Sequence, residues 1–176
     1  MKMNRNTGGI IVTSLGALLA FGFLQLFCPM PAGAELFSQT NLVTDDPFIN
    51  PAMLTDTNLK NAWGISFSPT GPFWVSDNGS GVSTLYRVDP ATNAATKNPL
   101  VVSIPGDGSV TGQVFNTNSA SAFNNNLFLF VSEDGTISGW RGALGTVAET
   151  LVPPSTANVY KGTALAMREL LPESDN

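Results

Sequence analysis

Acidic residues that precede glycine are the residues of this sequence best suited to bind a ligand through oxygen atoms. Two similar turns carry them, Asp77-Asn78-Gly79 and Glu133-Asp134-Gly135, and Asp107 lies between two glycines. Carboxylate and carbonyl oxygens are the ligands of Ca²⁺. The same residue types also form hairpin turns, because Gly adopts positive φ and Asn and Asp tolerate it. Hairpin turns are the favoured interpretation, and Ca²⁺ is the one cofactor that stays open.

The most common catalytic side chains are missing. The sequence has no histidine, and its one cysteine is Cys28. Histidine is the most frequent general base near neutral pH, so mechanisms of the Ser-His-Asp, Cys-His and zinc-hydrolase types are excluded. The sequence assigns no catalytic, cofactor-binding or metal-binding residue, and it favours a protein that is not an enzyme.

Aromatic side chains offer a second candidate binding surface. The residues are three tryptophans, one phenylalanine and one tyrosine: Trp63, Trp74, Trp140, Phe73 and Tyr86. Exposed rings would stack on sugars or aromatic ligands, whereas buried rings supply much of the area in a core. Because several of them occupy equivalent places in a repeat, packing between repeats is the favoured interpretation. The asparagine-rich stretches 116–119 and 124–126 are predicted to be ordinary loops.

The first 34 residues have the three parts of a secretory signal. Lys2 and Arg5 precede an apolar run over residues 10–27, and Ala32-Gly33-Ala34 stands before Glu35. This order predicts a cleavable signal peptide and export to the periplasm or the cell exterior. A membrane anchor is the alternative, since the run approaches the ~20 residues that cross a bilayer. Polar residues and glycines within the run favour cleavage.

Cleavage after Ala34 would leave 142 residues with six Lys and Arg against 13 Asp and Glu, a net charge of −7. Such an acidic chain is a poor partner for nucleic acid or for an anionic membrane surface. No membrane span would remain after cleavage, and no disulfide would form, because Cys28 would be removed. We expect a partner that is neutral or cationic.

Residues 35–60 predict a lead-in strand and loop, and residues 61–176 predict short strands closed by turn residues. Internal repetition organises them. Residues 74–79 align with residues 130–135 at an offset of 56, and residues 160–166 repeat the pattern of residues 62–67. A spacing near 50 residues with about four strands per unit is typical of a β-propeller blade. The prediction is an all-β fold with about two blades and the start of a third.

Four separated motifs resemble a known family. They occupy residues 61–79, 111–116, 132–140 and 160–166. In this order they are similar to a family of exported bacterial proteins with NHL-like β-propeller repeats and uncharacterised function, some of which end in a PEP-CTERM sorting tail. The resemblance implies a propeller fold and brings no catalytic residues. Members of that family look about twice as long, and the likeness ends after Ala166.

A propeller closes its ring with ~4 to 8 blades, so two blades and a part of a third predict an incomplete propeller. The sequence favours a truncated chain over a part that pairs with other copies, and open blade edges would permit self-association. The function it favours is that of a binding or scaffolding module. The alternatives are a fragment of a Ca²⁺-dependent propeller hydrolase or lactonase and a truncated product without a function.

Overall fold

A computed structural model describes residues 38–166 of the chain. The predicted signal peptide, residues 1–34, lies outside the described residues. The compact unit that holds all the elements below begins at Gln39. None of the helices in the described part is long or apolar enough to cross a membrane.

Two four-stranded antiparallel sheets make up the described fold, and each follows the order of the chain. The first sheet consists of β3 (Ala62–Phe67), β4 (Phe73–Asp77), β5 (Val82–Val88) and β6 (Ala95–Ser103). The second sheet consists of β7 (Val110–Phe115), β8 (Phe128–Ser132), β9 (Ile137–Trp140) and β10 (Glu149–Val152).

The predicted lead-in contains two short strands, β1 (Val43–Thr44) and β2 (Leu54–Thr55), which pair in parallel. Helix is limited to two 3₁₀ turns, Phe123–Asn125 and Gly142–Leu144. The all-β prediction is confirmed. Within the described residues the sheets do not close into a ring.

The core lies between the two sheets and is dominated by aromatic rings. Trp74 on β4 stacks on Phe128 of β8, with 4.1 Å between ring centroids, and its centroid lies 4.8 Å from that of Trp140. Leu85 and Phe130 are buried in the same cluster. Burial of large rings from both sheets makes this interface the main apolar stabilisation of the fold.

The strand pairing corrects the predicted alignment of the repeats. Phe67 pairs with Phe73 in the first sheet, and Phe115 pairs with Phe128 in the second. Trp74 and Phe128 face each other across the interface, so in stacked repeats the residue on the opposite face, Phe73, corresponds to Phe128. The offset on these strands is 55, and the predicted offset of 56 is wrong. The difference matters because a shift of one residue moves a side chain to the other face of a strand. Trp74 corresponds to Leu129.

The first strands of the two sheets, β3 and β7, lie next to each other. The Gln113 side chain of β7 donates to the main-chain carbonyl of Gly64 at 2.8 Å. A further stretch, residues 160–165, lies beside β7, where the Thr111 hydroxyl donates to the Tyr160 carbonyl at 2.8 Å. We call residues 160–165 the third segment. It has no strand assigned to it.

Candidate functional site

Polar side chains and one indole from both sheets and the third segment meet at the end of the sheets where β3 begins. We call them the inner-end cluster, and its members are Asn61, Trp63, Asn78, Glu133 and Lys161. Two members belong to β3 or precede it, two lie in the β4–β5 and β8–β9 turns, and one lies in the third segment. The antiparallel meander brings them together, because β3 starts at the end of the sheet where β4 finishes.

A chain of contacts connects the cluster. The Asn61 amide donates to Asn78 Oδ1 at 3.0 Å, and the Asn78 amide donates to Glu133 Oε2 at 3.3 Å. Lys161 Nζ donates to Glu133 Oε1 and lies 5.5 Å from the centroid of the Trp63 ring. Trp63 remains 45% exposed. The arrangement presents an indole to solvent beside hydrogen-bonding groups of both kinds.

The charges of the cluster are balanced. The Lys161 ammonium, and after it the Asn78 amide, lower the pKa of Glu133 from its usual value. Glu133 is therefore ionised at neutral pH. Because Lys161 is solvent-exposed and Glu133 is partly exposed, their attraction is screened and contributes little to stability.

Backbone contacts hold the β4–β5 turn against the start of β3. The amide of Asn78 donates to the Asn61 carbonyl at 3.2 Å, and the amide of Gly79 donates to the Lys60 carbonyl at 2.9 Å. Asn61 has a φ of 50°, a conformation that asparagine tolerates better than most residues. The position of the cluster therefore follows from local turn chemistry.

Two open clefts flank the cluster. One has a volume of 320 Å³ and lies between the β4–β5 turn and residues 107–109. The other has a volume of 550 Å³ and lies between the turn at Glu133 and Asp134 and residues 154–159. The lining of the second cleft includes Pro154 and Val159 and is mainly apolar, whereas that of the first is mixed. Both clefts border the cluster.

The acidic turns form hairpin connections, as the favoured interpretation had it. Asp134 accepts hydrogen bonds from the amides of Asp107 and Thr136, and Asp77 turns inward to accept from Thr84 at 2.7 Å. In these two turns Gly81 and Gly135 have positive φ angles. In the first turn the residue with positive φ is therefore Gly81, whereas the sequence had predicted Gly79. Over residues 38–166 no group of three or more His, Cys, Asp or Glu is arranged to hold a metal ion.

The aromatic residues divide into two sets. Trp74 and Trp140 are buried in the core between the two sheets, which confirms the predicted packing role for these two. Tyr86 is also buried, but on the opposite face of the first sheet, where it bonds to Asp56 of the lead-in. Trp63 and Phe73 are 45% and 37% exposed. The predicted packing between repeats is therefore wrong for Tyr86, Trp63 and Phe73.

The asparagine-rich stretches hold a loop together. Asn116 is buried, and its amide donates to the Asn126 carbonyl at 2.9 Å. The Asn126 side chain in turn contacts Arg141 and Glu149. These contacts are structural, as predicted for an ordinary loop.

Searches against protein families, curated proteins and solved structures found no match. The grouping of Asn61, Trp63, Asn78, Glu133 and Lys161 therefore rests on the geometry alone. Lys161 was not a candidate from the sequence, although the repeat pattern places it at the position of Trp63 and could have drawn attention to it.

A second polar cluster lies on the face of the first sheet that points away from the second. Lys97 and Tyr86 both donate to the buried carboxylate of Asp56, at 2.7 and 2.6 Å. Burial opposes ionisation of Asp56, but the hydrogen bonds from Lys97 and Tyr86 prevail and lower its pKa. This cluster was not predictable from the sequence, because Asp56 comes from the lead-in and lies 30 residues before Tyr86.

The pKa of Asp77, near that cluster, is shifted in the opposite direction from that of Asp56. Its side chain is fully buried, and Thr84 donates to Oδ2 while Oδ1 has no partner. Burial, together with the negative charge of Asp56, raises the pKa of Asp77 to about 7. The group is enclosed beneath the lead-in and offers no route for a substrate, so we assign it a structural role.

Proposed function

We propose that this protein is an exported binding module built from propeller-type repeats, and that it binds neutral saccharides at the inner-end cluster. The observation that carries the proposal is the exposed Trp63 ring at a place where three repeats converge. Glu133 and Lys161 come from the second and third repeats, and Asn61 and Asn78 come from the first.

The order of the strands supports propeller-type repeats. Each sheet is a four-stranded antiparallel meander, the two sheets pack face to face, and their first strands are neighbours. A propeller arranges its blades in this way around a central channel. The third segment extends the series of first strands by one more member, since it lies beside β7.

The chemistry of the cluster suits a saccharide. The apolar face of a sugar ring stacks on an indole, and the amides of Asn61 and Asn78 and the carboxylate of Glu133 supply donors and acceptors for hydroxyl groups. The net charge of the chain is −5, which opposes the binding of polyanions. A neutral polymer is therefore the ligand class with the best fit.

Affinity electrophoresis of the purified full chain tests the binding site. Gels that contain dextran, starch or glucomannan serve as neutral probes, and a gel with heparin serves as the anionic probe. We expect retardation by at least one neutral polymer and none by heparin. Trp63→Ala should remove at least nine-tenths of the retardation, because the stacking surface is lost.

The matched control is Phe48→Ala, which removes a ring that is 96% exposed and lies outside the cluster. It should be retarded like the parent protein, and both variants should melt at the parent temperature. Retardation that persists in Trp63→Ala, or a parent that migrates freely in every neutral gel, contradicts the saccharide site.

Export is tested separately. The full chain with a C-terminal tag is produced in a bacterium with a periplasm, and the periplasmic fraction is analysed by mass spectrometry. We expect a protein that starts at Glu35, and a loss of this product when Ala32 and Ala34 are both replaced by Arg. A chain that keeps Met1 and stays in the cytoplasm contradicts export.

A further inference from the structure

The face of the first sheet that points away from the second sheet carries exposed apolar side chains. Ile65 and Phe67 on β3 are 62% and 57% exposed, and Phe73 on β4 is 37% exposed. A groove of 270 Å³ beside Ile65 and Phe73 is lined by aliphatic and aromatic side chains. We call this surface the outer face. Contiguous apolar surface of this kind typically marks an interaction site.

The register of the repeats identifies what kind of surface the outer face fits. Phe73 pairs with Tyr86 on the face that points away from the second sheet, and Phe128 pairs with Trp140 on the face that points toward the first. In stacked repeats these two faces are equivalent, so Phe73 corresponds to Phe128 and Tyr86 to Trp140. In the second sheet these positions form the side that packs on the first sheet, where Phe128 is 3% exposed and stacks on Trp74. The outer face is thus the first-repeat counterpart of an established interface between sheets.

Glycines show where the complementary surface lies. A Cβ atom on Gly64 would lie 2.6 Å from the Thr111 carbonyl oxygen of β7, and one on Gly112 would lie 2.7 Å from Cα of Gly162. The missing side chains let each first strand approach the next one closely. Gly162 is the third member of the series, and a Cβ there would meet no atom of the described residues within 4 Å.

We propose that two copies of this chain associate head to tail, with β3 and the outer face of one copy against the open side of Gly162 in the third segment of the other. Within one chain, β7 lies against Gly64 and the third segment lies against Gly112. Because β3 is the first strand of its sheet, as β7 is of the second, β3 of another copy can lie against Gly162 in the same way. The contact is heterologous, since different surfaces meet, and such contacts form a ring when the rotation closes.

Light scattering coupled to size-exclusion chromatography on the purified full chain, from 1 to 100 µM, measures the association. We expect the parent to form a discrete assembly of two or more copies. Ile65→Asp, which places a charge on the outer face, should be monomeric. Gly162→Leu should also be monomeric, because the leucine side chain would occupy the space that β3 of the other copy needs. Within its own chain the leucine meets no described atom near its Cβ, so the fold should tolerate it.

Mixing the two variants provides the decisive result. Ile65→Asp keeps an intact Gly162 side, and Gly162→Leu keeps an intact outer face, so a mixture retains one good contact per pair. We expect an equimolar mixture to form a dimer with one copy of each variant, which native mass spectrometry resolves. A face-to-face contact between outer faces would leave Gly162→Leu associated and would give no rescue, and either result overturns the proposal.

The control places the same charge on an edge strand. Val152→Asp lies on β10, where the side chain is 41% exposed, and it should associate like the parent. Loss of association in this variant would point to pairing of strand edges and contradict the proposed contact. A parent that stays monomeric at 100 µM also overturns the proposal. Melting curves that match the parent show that each variant is folded, and Phe67→Asp repeats the outer-face test.

Discussion

The side-chain amide of Gln113 donates to the main-chain carbonyl of Trp74 at 2.6 Å and joins the two sheets across their interface. The same nitrogen donates to the Gly64 carbonyl at 2.8 Å. The Ser83 hydroxyl, which donates to the Val75 carbonyl at 2.9 Å, lies 3.5 Å from the Gln113 carbonyl oxygen. Gln113 is only 5% exposed. One polar side chain of the second sheet thus contacts three strands of the first.

Replacing Gln113 should therefore lower the free energy of unfolding more than replacing a side chain that makes one exposed hydrogen bond. Gln113→Leu keeps much of the volume but leaves buried carbonyl groups without their donor, which costs about 1–3 kcal/mol. Gln113→Glu should cost more at pH 8, because a buried carboxylate would face two carbonyl oxygens. The free energy of unfolding in urea, followed by near-ultraviolet circular dichroism, measures both effects.

The control for these variants is Gln39→Leu, since Gln39 is exposed and bonds only to Asn41 nearby. It should change the free energy of unfolding by less than about 0.5 kcal/mol. If Gln113→Leu were as stable as this control, the amide would not hold the sheets together.

A second prediction concerns the close approach of β3 and β7. Gly64→Ala would place a methyl group 2.6 Å from the Thr111 carbonyl oxygen, so β3 and β7 would have to separate. We expect a loss of stability of about 1–3 kcal/mol, the usual cost of overpacking. Gly142→Ala is the matched control, because a Cβ at Gly142 has open space around it among the described residues. Equal melting temperatures for the two variants would contradict the close packing.

The strands and turns were predictable from the sequence because their signals are local. Asp before Gly marks the hairpin at Asp134, and a run of β-formers marks strands such as Val82–Val88. The register that relates the two repeats was not predictable. Residue similarity matched Trp74 with Phe130, whereas the contact of Trp74 with Phe128 across the interface makes Phe73 the counterpart of Phe128 and Trp74 that of Leu129. Similarity of side chains could not reveal that equivalent positions in the two repeats carry different residue types.

The candidate site was less predictable, because its members are distant in the chain. Glu133 and Lys161 are 28 residues apart, and Asn78 lies 55 residues before Glu133. The sequence identified the turns that carry Asn78 and Glu133 as oxygen-rich. It could not show that a lysine of the third segment would reach Glu133, since this depends on how the repeats pack.

The third prediction is that the ionisation of Asp77 makes stability depend on pH. The folded-state pKa of about 7 lies above the unperturbed value of 3.8. Between these two values the folded protein holds a proton that the unfolded chain has released, so this contribution to stability is complete below pH 4. It decreases as the pH rises to about 7 and is then lost. A shift of this size corresponds to an upper limit of about 4 kcal/mol.

Asp77→Asn isolates this contribution, because the amide oxygen still accepts from Thr84 and the side chain cannot ionise. We expect the variant to be more stable than the parent at pH 8, by up to about 4 kcal/mol, and to differ little from it at pH 4. The lowered pKa of Glu133 acts alike in both proteins, so the change in the difference between the two unfolding free energies from pH 4 to pH 8 reports on Asp77 and its interaction with Asp56. A difference that stays constant between pH 4 and pH 8 would show that Asp77 does not titrate in that range in the folded protein.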